Sequence, residues 1–66
     1  MSVAKVIEIL AQSDKSWEDA AQNAVTAAAR SVRNIKTVYV EGMQAIVEGD
    51  KITGYRVNTK ISFIVE

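Results

Sequence analysis

The chain has no cysteine, no histidine and no proline, and its three glycines stand singly at positions 42, 49 and 54. Eight basic and eight acidic residues cancel to a formal net charge of zero. Each absence removes a class of protein. Without cysteine no disulfide framework is available, and without cysteine or histidine a structural metal site of the common kinds has no ligands. The missing cysteine fits either redox compartment. The cancelled charge leaves no footprint for sequence-independent binding to nucleic-acid backbones or anionic membranes, so neither is expected as a partner. Isolated glycines build no phosphate-binding loop and no nucleophile elbow. Lysines and carboxylates are present, but no spacing singles out an acid/base pair. The expectation is a binding or structural protein, not an enzyme.

What remains is a chain of 66 residues, read as a single domain, 1–66. A domain this short buries only about 60% of the surface its unfolded form exposes and is marginal alone. With disulfides and metals set aside, self-association is the route left to supplement its core. The opening MSVAKVIEIL is interrupted by Lys5 and Glu8 and is too short for a signal peptide or a membrane span. The chain reads as soluble and cytoplasmic.

Four elements follow from periodicity. Residues 3–11, VAKVIEILA, are rich in β-branched side chains, with Glu8 between Ile7 and Ile9, which suits a strand, although the run is also compatible with a short helix. Ser16, with Asp19 three residues on, marks a helix start near Trp17. Trp17, Ala20, Ala21, Ala24, Val25, Ala28 and Val32 form one apolar stripe, and Arg30, Arg33 and Asn34 suit the last turn and exit. The stripe is mostly alanine, which lets a sheet come close. TVYVEGMQAIVE (37–48) and ITGYRVNTKISFIVE (52–66) then read as a hairpin turning at Gly49 and Asp50. The last strand alternates from Tyr55 to Val65, apolar side chains and Thr59 on one face, Arg56, Asn58, Lys60 and Ser62 on the other.

With the turn at Gly49 and Asp50, paired numbers in the hairpin sum to 99: Thr37 with Ser62, Val38 with Ile61, Tyr39 with Lys60, Val40 with Thr59, Glu41 with Asn58 and Met43 with Arg56. A bulge at Gly42 would shift the later pairs. The fold class that follows is α+β, a three-stranded antiparallel sheet packed on one helix in the order strand, helix, strand, strand, with the last strand central. The face away from the helix then carries Glu8, Thr37, Tyr39, Glu41, Met43, Arg56, Asn58 and Lys60, and function is expected there. Trp17 reads as a core anchor rather than a stacking platform. Tyr39 has two readings, a ring beneath the Lys60 stem or part of an inter-subunit surface. Arg56 and Glu41 read either as an exposed cross-strand network or as groups reaching across a subunit boundary. Glu41, Glu48 and Asp50 offer hard oxygen ligands for Ca²⁺ or Mg²⁺ between subunits, without the spacing of a dedicated calcium loop.

KVIEI at the start, SWEDAAQNAV opening the helix and YRVNTKISF closing the sheet, taken in this order and length, resemble the dodecin family of small flavin-binding proteins over essentially the whole chain. The resemblance implies a hollow homododecamer with helices outside, sheet faces inside and ligand sites where subunits meet. It implies binding of FMN or riboflavin between subunits, in a storage, buffering or photoprotective role. The family's flavin-stacking tryptophan falls at Thr37 and its flavin-bonding glutamine at Arg56, with Gln44 a nearby candidate. Thr37 offers no π-face, so the expected geometry is altered. The alternatives are a flavinless relative holding cations such as Ca²⁺ or Mg²⁺, one holding another anionic ligand, or a purely structural assembly.

Overall fold

Alternation in the last strand dominates the architecture. In the computed structural model, which describes residues 3–65, the elements run β1 (Val3–Ser13), α1 (Trp17–Ala28), β2 (Ile35–Glu48) and β3 (Lys51–Val65). The sheet order is β1-β3-β2, both pairings antiparallel, so the expected α+β topology with the last strand central is observed. Residues 3–11 are strand, not helix, and pairing with β3 carries the strand on to Ser13. Glu66, placed in the last strand by pattern, lies outside the described residues.

The helix begins as its capping residues dictate. The Ser16 hydroxyl accepts the Asp19 backbone N–H at 3.0 Å, and Glu18 and Asp19 occupy the first turn, where the positive end of the helix dipole favours them. Asp19 also accepts a hydrogen bond from Ser13 Oγ at 2.6 Å, and Asn23 donates to the Gln12 carbonyl at 2.8 Å, which moors α1 to the end of β1. The helix stops at Ala28, one turn before Val32, because the chain tightens: Ser31 and Val32 both donate to the Ala28 carbonyl. Arg30 and Arg33 therefore follow the helix instead of forming its last turn. Asn34 then takes a left-handed φ of 63°, a conformation its side chain tolerates, and the chain turns into β2.

The core is thin. Ala20, Ala24 and Ala28, spaced four apart on one face of α1, are buried, as are Val57, Thr59 and Ile61 of β3, and Ala24, Ala28 and Ile61 pack together. Small side chains bring the helix close to the sheet, and Ile7, Ile9, Val32, Ile35 and Val38 close the edges. Thr59, the one buried polar residue among those described, donates its hydroxyl to the Ile9 carbonyl at 2.7 Å, which removes the cost of burying it. Trp17, half-buried, packs edge-on against Tyr55 with ring centroids 4.8 Å apart, outside the cluster of buried residues.

The β2–β3 hairpin outruns both the helix and β1. It projects as an arm, so that the molecule measures 51 × 19 × 14 Å. Gly49 (φ 65°) sits first in the two-residue loop between the paired Glu48 and Lys51, where a hairpin of this length asks for glycine. Large apolar side chains stay in the open, among them Val6, Leu10 and Tyr39 on the face away from the helix, Met43 of β2, and Val47 and Ile52 along the arm.

Candidate functional site

The sheet face away from α1 is built in rows of three across β1, β3 and β2. The hairpin register sums to 99 from Thr37 to Val40, as expected, and is then shifted by a bulge between Val40 and Gly42. Gly42, not Glu41, lies opposite Asn58. Beyond the bulge the alternation reverses. Met43 pairs with Val57, a helix-face residue, and so leaves the outer face to which the unbulged register assigns it. Gln44 takes the place expected for Met43, directly opposite Arg56. A bulge inserts one residue, and one residue is half the side-chain period of a strand.

The rows that result are chemically distinct. The first holds Val6, Ser62 and Thr37, with the Thr37 and Ser62 hydroxyls hydrogen-bonded to each other. The second holds Glu8, Lys60 and Tyr39. The bulge turns Glu41 toward this row, where its Oε2 lies 3.2 Å from Lys60 Nζ. That hydrogen bond, then the charges of Glu41 and Glu8, hold the Lys60 ammonium above its ordinary pKa. The third row is Leu10, Asn58 and Gly42, and the fourth is Gln12, Arg56 and Gln44. Arg56 Nε donates to Gln12 Oε1 at 2.7 Å. The expected Arg56 and Glu41 network is thus two separate contacts, Arg56 with Gln12 and Glu41 with Lys60. Gln12 escaped the sequence pattern because β1 was expected to end at Ala11; continuing its alternation by one residue would have found it.

Between the second and third rows lies an open pocket of about 280 Å³, lined by Glu8, Ile9, Leu10, Glu41, Asn58 and Thr59. Its donor set, two carboxylates and a side-chain amide, is of the hard-oxygen kind that Ca²⁺ takes, but Ca²⁺ wants six to eight oxygens. Among the described residues no group of three or more acidic side chains could hold a metal, so one subunit supplies only part of a shell. The wider set of Glu41, Glu48 and Asp50 is not brought together. Glu48 and Asp50 sit at the tip of the arm, seven and nine residues on from Glu41, with Glu48 roughly 23 Å away along the strand.

The candidate flavin positions are also divided. Gln44 and Arg56 are partners, whereas Thr37 is opposite Ser62, six residues from Arg56 along β3 and so roughly 20 Å away. Thr37 and Arg56 could act on one ligand only across a subunit boundary. Thr37 has no ring, and its hydroxyl is bonded to Ser62. The aromatic surface available on this face is Tyr39, which is 63% exposed and stands directly opposite Lys60, whose ammonium reaches Glu41. No helix among the described residues is long and apolar enough to cross a membrane.

Comparison with known proteins agrees with this architecture. The dodecin family model matches residues 3–66. A protein of Mycobacterium tuberculosis named calcium dodecin is 45% identical over 64 residues, covering 96% of this chain and 89% of its own length. The crystal structure of calcium dodecin from that organism, described as a calcium-chelating immunodominant antigen with a novel calcium-binding site, superposes with a TM-score of 0.83 at 36% identity, covering 97% of this chain and 91% of its own. The dodecin of Streptomyces coelicolor superposes with a TM-score of 0.91 at 25% identity, over 98% of this chain and 93% of its own.

Proposed function

The chain belongs to the dodecin family, and from that premise we propose that it is a non-catalytic cytoplasmic binding protein, a homododecamer that holds a small ligand where sheet faces of neighbouring copies meet. The observation that carries the assembly is the imbalance of its apolar surface. Among the described residues five hydrophobic ones are buried, three of them alanine, while eight large ones are 38–63% exposed. A single copy leaves its strongest source of stability unused.

The ligand that the residues fit best is Ca²⁺. Glu8, Glu41 and Asn58 converge on the outer-face pocket, and a second copy meeting this face would supply the oxygens that one copy lacks. The relative that is 45% identical is named a calcium dodecin, which supports the same choice. Lys60 now holds Glu41, and a divalent ion would displace it. The test is size-exclusion chromatography with light scattering, followed by melting curves against CaCl₂ and MgCl₂. A specific site stabilises by about 2.7 kcal/mol at a hundredfold excess over its Kd, and Glu41→Gln should abolish most of that rise. A dodecamer whose melting ignores calcium would exclude the cation, and a monomer would exclude the assembly.

A second reading keeps the flavin. Tyr39, exposed two residues from Thr37 on the same face, offers a ring on which FMN or riboflavin would stack, with Arg56 and Gln44 from a neighbouring copy bonding the edge. Thr37→Trp with Arg56→Gln should then tighten binding, read by quenching of flavin fluorescence. Unquenched flavin with both proteins would exclude it.

A further inference from the structure

The row of Gln12, Arg56 and Gln44 has no part in the cation pocket, yet it holds a cation with no salt-bridge partner among the described residues. Arg56 is partly buried. Its Nε donates to Gln12 Oε1, which fixes the plane of the guanidinium and leaves its two terminal nitrogens to other partners. Among the described residues the only salt bridge is Lys60 with Glu41, so none of their carboxylates is paired with Arg56. Glu41, three residues before Gln44 on β2, is turned by the bulge toward Lys60 instead. Gln44, directly opposite, brings a neutral amide with N–H donors, and Asn58 brings another from the next row.

A guanidinium is always charged, and its fork of donors matches the two oxygens of a carboxylate or phosphate. Held in plane by one neutral acceptor and flanked by amide donors, it is arranged to receive such a group from outside the chain. We infer that Arg56, with Gln44, binds the phosphate or carboxylate of a small ligand on the outer sheet face. The inference is independent of the calcium reading. It departs from the flavin-edge reading in that the recognised group is anionic, so Arg56 rather than an aromatic ring decides the affinity. Gln12 is a positioning residue that orients the guanidinium.

Melting of the purified oligomer is to be followed against inorganic phosphate, in calcium-free buffer with ionic strength held constant by NaCl. Phosphate raises the stability of most proteins weakly by exclusion from their surfaces, so the readout is the difference between variants. The wild type should show a saturable rise, and Arg56→Gln should need about tenfold or more phosphate for the same rise, as loss of a charge-assisted bidentate contact requires. Arg56→Lys, a point charge without the fork, should fall between them. Light scattering on each variant identifies the source of the oxyanion. If all three respond alike, no site exists. If Arg56→Gln disassembles the oligomer, the guanidinium is held by a carboxylate of a neighbouring copy and the ligand site is refuted.

Discussion

Substituting Ile52 by lysine separates a lone chain from an assembled one. Val47 and Ile52 face each other on the hairpin arm, 57% and 61% exposed, beyond the reach of the helix. For an isolated subunit an exposed change of this kind shifts stability by no more than about 0.5 kcal/mol. For an oligomer that covers the arm the result differs. Fully burying an isoleucine is worth about 1.5–3 kcal/mol, and about three fifths of that remains to be gained, so each copy loses roughly 1–2 kcal/mol of association free energy. Desolvating the new ammonium adds to the loss. About 1.4 kcal/mol is a tenfold change in an equilibrium constant, and the effect multiplies across copies. Ile52→Lys should therefore lower the mass measured by light scattering and make melting strongly concentration-dependent. Ile52→Thr, which keeps the β-branched shape without charge, should do so more mildly. An Ile52→Lys protein with wild-type mass and wild-type melting over a hundredfold dilution would refute a role for the arm in assembly.

Three further outcomes follow from the subunit itself. Ala24 is fully buried against Ile61, so Ala24→Leu should push the helix off the sheet and cost about 1–3 kcal/mol, seen as a lower denaturation midpoint at unchanged slope. Ser16→Ala removes the acceptor for the Asp19 N–H and should cost about 1 kcal/mol in the same assay. The third concerns pH. Glu41 and Glu8 raise the pKa of Lys60 above its ordinary value, so its contribution is complete below the unfolded lysine pKa and is lost as pH climbs above about 10.5 through the folded value. Wild type should lose more stability than Lys60→Met on passing from about pH 9 to pH 12. Equal losses would mean that the contact is too exposed to matter.

Much of the fold was legible because its signals are local. The alternation from Tyr55 to Val65 marks a strand with one buried face, Ser16 and Asp19 mark the helix start by capping, and Gly49 marks the turn that sets the first register. Where the helix ended was not legible. The apolar stripe runs on to Val32, which does pack on the core, but it does so from a tightened turn. A stripe reports burial, and burial does not require a helix.

The outer face was legible only as far as the bulge. Sequence by itself determined the strand, helix, strand, strand order, the central place of β3, the alanine face that brings helix and sheet together, and a core too small for a chain that stands alone. Tertiary structure alone decided that Met43 leaves the outer face, that Gln44 meets Arg56, and that Glu41 turns to Lys60. A hydrophobic pattern has period two and is indifferent to one extra residue until the partner strand is in place. Only cross-strand hydrogen bonds and twist select which residue is left unpaired, and that selection sets which side chains share the candidate site.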